Sequence, residues 1–193
     1  MSTPMLYVTS DLHMDHEKAI ALNNRPFIDL YHMQDYIFKQ INDLPDGATL
    51  YVLGDFSVKD SKTNLRKLLN RIKPTLKLIW VLGNHDHRLE SVFAEFGEVY
   101  KILEVKHQRR KIVMCHFPMA EWNQGQYGAL HFYGHCHGRL QHHGKSVDVG
   151  WDVHKRILTV DEAMSIADIP VIFQPCHDTN NGKQIDDLEY KSY

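Results

Sequence analysis

The chain has 193 residues, a formal charge of −2 and 43% apolar residues, which suits one folded domain with a sizeable core. That charge excludes global attraction for nucleic acid, and no apolar stretch approaches the roughly 20 residues that span a bilayer. Three cysteines without a C-x-x-C pair argue against a disulfide framework, so a cytoplasmic protein with no membrane contact is the expectation.

Strands and helices alternate in the first half. An apolar run predicts strand Met5–Thr9, followed by a short helix over Glu17–Leu22 that Arg25-Pro26-Phe27 breaks. Helical spacing of Met33, Tyr36, Ile37, Ile41 and Leu44 predicts a helix over Tyr31–Leu44. The turn signal Pro45-Asp46-Gly47 precedes strand Thr49–Leu53. Leu65, Leu68, Leu69 and Ile72 predict helix Thr63–Ile72, which Pro74 ends. Strand Leu76–Leu82 and a helix over Arg88–Phe96, closed by Gly97, complete this half. The second half is strand-rich: a hairpin of Tyr100–Val105 and Lys111–Cys115 around His107-Gln108-Arg109-Arg110, then strands Leu130–Tyr133, Ser146–Gly150 and Ile157–Val160. A last helix is expected at Asp161–Ala167. Beyond Gln174 the chain is polar and aperiodic, so residues 1–173 are expected to form the domain and 174–193 a loosely ordered tail.

Histidine is the compositional oddity, 14 in all, and five of them fall in motifs that follow apolar runs. In chain order these are Asp11-Leu12-His13, Gly54-Asp55, Gly83-Asn84-His85-Asp86, Cys115-His116-Phe117-Pro118 and Gly134-His135-Cys136-His137. Carboxylate, amide and imidazole groups form a donor set suited to hard and borderline divalent metals. Loops at strand ends are the usual place for a site on an α/β sheet. The D-x-H and H-x-H spacings are expected to aim both side chains one way, as strand residues i and i+2 do. Gly54, Gly83 and Gly134 would let the backbone approach an ion closely. D-x-H or G-D alone is weak evidence, whereas all five motifs in order are specific.

This series resembles the calcineurin-like metallophosphoesterases from Asp11 to His137, with no motif missing. The resemblance implies an α/β fold, a two-sheet β-sandwich flanked by helices in α-β-β-α layers. It also implies two divalent ions, Mn²⁺ foremost, with Zn²⁺, Fe²⁺ or Ni²⁺ as substitutes. The first would take Asp11, His13, Asp55 and His137; the second would take Asp55, Asn84, His116 and His135, with Asp55 bridging. A metal-bridging hydroxide would attack phosphorus. His85 would then be the catalytic group that stabilises the transition state and protonates the leaving oxygen, and Ser10, Ser57 and Cys136 would not be nucleophiles.

Gly54-Asp55-Phe56-Ser57-Val58 lacks the carboxylate and arginine of the protein-phosphatase branch, leaving Asp86 or a main-chain carbonyl to orient His85. With Asp11–His16, Asn24–Phe27, Leu53–Ser57, Gly83–Asp86 and His116–Trp122, the pattern is similar to the small bacterial and phage phosphoesterases. Asn84, Arg25 and His16 are candidates for substrate binding. The alternatives are a surface salt bridge for Arg25 and an exposed helix start for His16. Trp122 and Tyr127 could stack on a base or pack a loop. The expected substrate is a small phosphoester or nucleotide, with nucleic acid as a further candidate. The expected reaction is phosphodiester hydrolysis; the alternatives are a phosphomonoesterase with the same site and a non-catalytic metal-binding scaffold. Oligomeric state is not legible.

Overall fold

Strands flanked on both sides by packing layers read as unbroken apolar runs, and the first three strands are of this kind. The computed structural model of the protein describes residues 5–140 and 144–169; the expected tail at 174–193 lies outside them. β1 (Leu6–Thr9), β2 (Thr49–Val52), β3 (Lys77–Val81) and β4 (Glu98–Tyr100) pair in parallel, and β9 (Leu158–Thr159) adds antiparallel beside β1. Their order is β4-β3-β2-β1-β9. The second sheet has the order β5-β6-β7-β8, from β5 (Ile102–His107), β6 (Arg110–Cys115), β7 (Leu130–Tyr133) and β8 (Ser146–Asp148). Only the β5–β6 hairpin in it is antiparallel.

Alternation along each strand divides the interior in two. Leu50, Val52, Leu78, Trp80 and Leu82 face the helices, whereas Tyr51, Leu53, Ile79 and Val81 face Ile112, Met114, Leu130 and Phe132 of the other sheet. The helical layer comprises α1 (Lys18–Leu22), α2 (Leu30–Asn42), α3 (Lys62–Leu69) and α4 (Glu90–Phe93). Each fully buried Leu, Ile or Phe here contributes about 1.5–3 kcal/mol. α5 (Trp151–His154) is a single turn, and α6 (Val160–Ala167) inserts Val160, Ala163, Met164 and Ala167 into the inter-sheet core. A capping box between Thr159 and Glu162 starts α6. The protein is therefore α/β, two sheets flanked by helices.

The structure corrects several expected elements. The strand read as Tyr100–Val105 is two: β4 closes the first sheet, and the chain passes at Lys101 into β5 of the second. Apolar alternation runs through both, so periodicity alone does not mark the crossing. On α2, Gln34 and Phe38 are buried and Tyr36 is exposed; the buried Gln34 amide is satisfied by donating to Asp15 Oδ1 (2.9 Å). The helix expected at Arg88–Phe96 is a 3-10 turn, His87–Leu89, leading into α4. Among the described residues no helix is long and apolar enough to cross a membrane.

Candidate metal centre

Because β1, β2 and β3 run parallel, their C-terminal loops lie side by side, and the loops after β6 and β7 close over them. Two groups result: Asp11, His13 and His137, and Asp55, His116 and His135, each with donor atoms mutually within 4.8 Å. The loops are knitted by the carboxylates themselves. Asp11 Oδ2 accepts from the His135 N–H (2.9 Å) and Asp55 Oδ1 from the His85 N–H (3.0 Å). Each carboxylate therefore turns its other oxygen inward. Asp55 Oδ2 lies 3.9 Å from His13 Nε2 in one group and 3.4 Å from His116 Nε2 in the other. The Asn84 Oδ1 is 3.0 Å from the same His116 nitrogen.

The local conformation differs from the strand-like spacing expected. β1 ends at Thr9 and β7 at Tyr133, so the motifs lie beyond the strands. Asp11, His13, Asp55, His135 and His137 all have left-handed backbones, with φ of 56°, 53°, 52°, 67° and 50°. Each such residue costs about 1–3 kcal/mol and persists only where its surroundings enforce it. The enforcement is visible in the Asp11 and His13 N–H groups, which donate to the carbonyls of Gly54 and Asp55 (both 3.0 Å). Two glycines permit the approach. A Cβ on Gly54 (φ +88°) would lie 2.7 Å from the Gly83 Cα, and one on Gly134 would lie 2.6 Å from the Ser10 Cβ.

The donor set tests well against a metal. Asp11 Oδ1 and both ring nitrogens of His13 are buried without a hydrogen-bond partner, an arrangement that costs free energy unless a cation takes the lone pairs. Burial pushes the Asp55 carboxyl up, but the His116 ring and the His85 N–H outweigh it and hold it at about 2. Burial lowers His116, and its bond to Asp55 reverses this and raises it.

His85 stands at the rim with its side chain 44% exposed, its Nε2 3.9 Å from Asp55 Oδ2 and its ring 5.8 Å from that of His13. Among the described residues the Asp86 carboxylate makes no hydrogen bond to it. Its Oδ2 instead accepts from the N–H groups of Asp55 (2.7 Å) and Gly83 (2.9 Å), and burial pushes its pKa up to about 7. His16 is half-buried, its ring 5.6 Å from that of His13, with Nδ1 unpartnered. Burial and the neighbouring His13 lower its pKa.

Arg25 is placed differently from the substrate-facing group expected. It is buried, and its donors go to Asp152 and to the carbonyls of Leu12 and Asp11, each at 2.8 Å. Trp122 is likewise packing: its indole N–H donates to the Ala129 carbonyl (2.9 Å) and its ring lies 5.3 Å from His131. Tyr127 is 83% exposed but lines a cleft with Arg109, Arg110 and Lys111, at the opposite end of β6 from His116. The aromatic group at the centre is Phe117, 40% exposed, its ring 4.9 Å from that of His135.

Two supporting carboxylates escaped the sequence reading. Asp152 Oδ2 lies 2.7 Å from His137 Nδ1. Asp148, at the end of β8, accepts from the N–H groups of Gly138 (2.9 Å) and Gly150 (2.8 Å). An acid in the middle of the expected strand Ser146–Gly150 was a readable signal for Asp148, whose place at the strand end the structure decides; nothing in the Trp151-Asp152-Val153 string marks Asp152.

The chain matches the calcineurin-like phosphoesterase family over residues 5–189 and belongs to it. The family is divalent-metal dependent. An uncharacterised protein of Methanocaldococcus jannaschii is 28% identical over 139 residues, 71% of this chain and 72% of that protein. A protein of unknown function from Aquifex aeolicus shares the fold, with a TM-score of 0.65 and 21% identity over 85% of this chain and all of that one. Weaker overlaps occur with a Pseudomonas putida nuclease (TM-score 0.45, 18% identity, 68% and 61% covered) and an archaeal phosphodiesterase (0.47, 16%, 82% and 94%).

Proposed function

We propose that the protein hydrolyses a phosphodiester of nucleotide or nucleic-acid type at a centre of two divalent ions, manganese foremost. The observation that carries the reading is Asp55 Oδ2, aimed between the two donor groups at 3.9 Å from His13 and 3.4 Å from His116. Asp11, His13 and His137 would complete one site, and Asn84, His116 and His135 the other. When bound, such ions neutralise phosphoryl oxygens and lower the pKa of an attacking water. His85, with no hydrogen bond to its ring among the described residues, is free to pass a proton to the departing oxygen. His16 faces the same space and would contact the phosphoryl group.

The diester preference rests on Arg25. Its guanidinium is engaged below the ligand loops, so it does not offer a planar fork to a monoester dianion. Phe117, rather than Trp122 or Tyr127, would provide the apolar face for a nucleoside leaving group, a contact of about 1–3 kcal/mol when a base stacks.

The test is a comparison of kcat/KM for bis-p-nitrophenyl phosphate and p-nitrophenyl phosphate on protein purified with Mn²⁺, alongside metal analysis. Two ions per chain, lost together in Asp55→Asn, and a higher value for the diester are expected. A higher value for the monoester overturns the substrate class, and one ion or none overturns the dinuclear centre.

A further inference from the structure

The two donor groups are supported unequally. Arg25 has five N–H donors, and each has an acceptor: Nε to Asp152 Oδ1, Nη1 to the Leu12 carbonyl and Met33 Sδ, Nη2 to the Asp11 carbonyl and Asp152 Oδ2. Four of these contacts are 2.8 Å and the sulfur contact is 3.3 Å. The guanidinium also lies over the Trp151 ring, 5.2 Å from its centroid. The Arg25 and Asp152 side chains are 0% and 3% exposed. This one residue therefore pins the left-handed Asp11-Leu12-His13 loop and, through Asp152, the His137 ring.

With Nδ1 held by Asp152 at 2.7 Å, His137 presents Nε2 toward Asp11 Oδ1, 3.9 Å away. A carboxylate behind an imidazole fixes its tautomer and orientation and raises its basicity. In the other group Asp86 holds the Asp55 and Gly83 N–H groups, but among the described residues no carboxylate stands behind either imidazole. His116 Nδ1 rests on the Leu53 carbonyl (2.8 Å), and the exposed His135 ring makes no hydrogen bond among the described residues.

We propose that Arg25 and Asp152 are positioning residues for the Asp11–His13–His137 site alone, making it the tighter of two unequal metal sites. The inference rests on the dinuclear reading. Lysine cannot replace the arginine here, because one ammonium cannot serve carbonyls and a carboxylate in a planar fork.

Mn²⁺ titration of the metal-stripped full chain, with free Mn²⁺ followed by electron paramagnetic resonance, tests this without an activity readout. The wild type is expected to take up two ions in two steps. Arg25→Lys and the nearly isosteric Asp152→Asn should weaken the tighter step about 10–100-fold, the range for lost support of a ligand. The weaker step should stay within about threefold, which general loosening of the fold would not produce. The affected step should be the one that His137→Ala abolishes. Equal weakening of both steps, no weakening in Asp152→Asn, or loss of the step that His135→Ala abolishes overturns the inference and leaves the dinuclear reading intact. Uptake of fewer than two ions by the wild type overturns the dinuclear reading itself.

Discussion

Replacing Asp86 by alanine isolates what holds the Gly83-Asn84-His85-Asp86 loop in place. The carboxylate is buried, and its Oδ2 accepts two main-chain hydrogen bonds, 2.7 Å from Asp55 N and 2.9 Å from Gly83 N. Alanine leaves both N–H groups buried and unpartnered at about 1–3 kcal/mol each, so the expected loss is about 2–6 kcal/mol. For a chain of this length that corresponds to roughly 5–20 °C in Tm. Asp86→Asn keeps one oxygen able to accept both bonds, and burial already pushes the native carboxyl toward its neutral form, with a pKa of about 7. The Asp86 Oδ1 is buried without a partner, so the asparagine amide placed there gains no acceptor, and this variant should fall between the parent and Asp86→Ala. Chemical denaturation with EDTA present, followed by tryptophan fluorescence, separates this packing effect from metal binding. An Asp86→Ala variant within about 1 kcal/mol of the parent would refute the reasoning.

His85→Ala should retain both ions and lose about 10²–10⁴-fold in turnover, less with a p-nitrophenolate leaving group that needs little protonation; loss of an ion on metal analysis would refute the role. His131 is buried, accepting from Met119 N at 3.1 Å, with its other ring nitrogen 3.0 Å from the Val113 carbonyl, and burial lowers its pKa below 6.5. A lowered folded pKa means that its stabilisation is complete above 6.5 and declines as pH falls below that value. The Tm difference between wild type and His131→Gln should accordingly shrink from pH 7.5 to 5.5, as read by differential scanning calorimetry. Thr159→Ala removes the cap of α6, and denaturant titration should show a loss of about 0.5–2 kcal/mol. The hydrogen bond from Arg156 and the Thr159 N–H hold the capping Glu162 at about 2, below its usual 4.5. That contribution is present above pH 4.5 and lost as pH falls toward 2, so the stability difference between wild type and Glu162→Gln should shrink over that range in denaturant titrations followed by circular dichroism.

What each stretch of chain reveals about itself is legible without the fold. Apolar runs marked β1, β2, β3, β6 and β7, since burial on both faces removes polar residues wherever the strand sits. The motifs after them marked the candidate ligands, because the loop leaving a strand end is local to that strand. The left-handed backbones of Asp11, His13 and His137 were not legible, as hydrophobic periodicity carries no information on φ. Arg25 shows the limit most clearly. Its sequence neighbours allow a phosphate contact or an ion pair, and Asp152, 127 positions away, decides between them.

The amino-acid sequence by itself thus determined the family and the candidate donor residues in their order, all carried by short-range pattern. The tertiary structure decided which donors share a group, which oxygen of Asp11 and Asp55 turns inward, and which side chains stand behind the ligands. Those outcomes depend on partners such as His135 N–H and Asp11 Oδ2, 124 residues apart. Chain packing creates such pairs, and no local pattern of burial or charge encodes them.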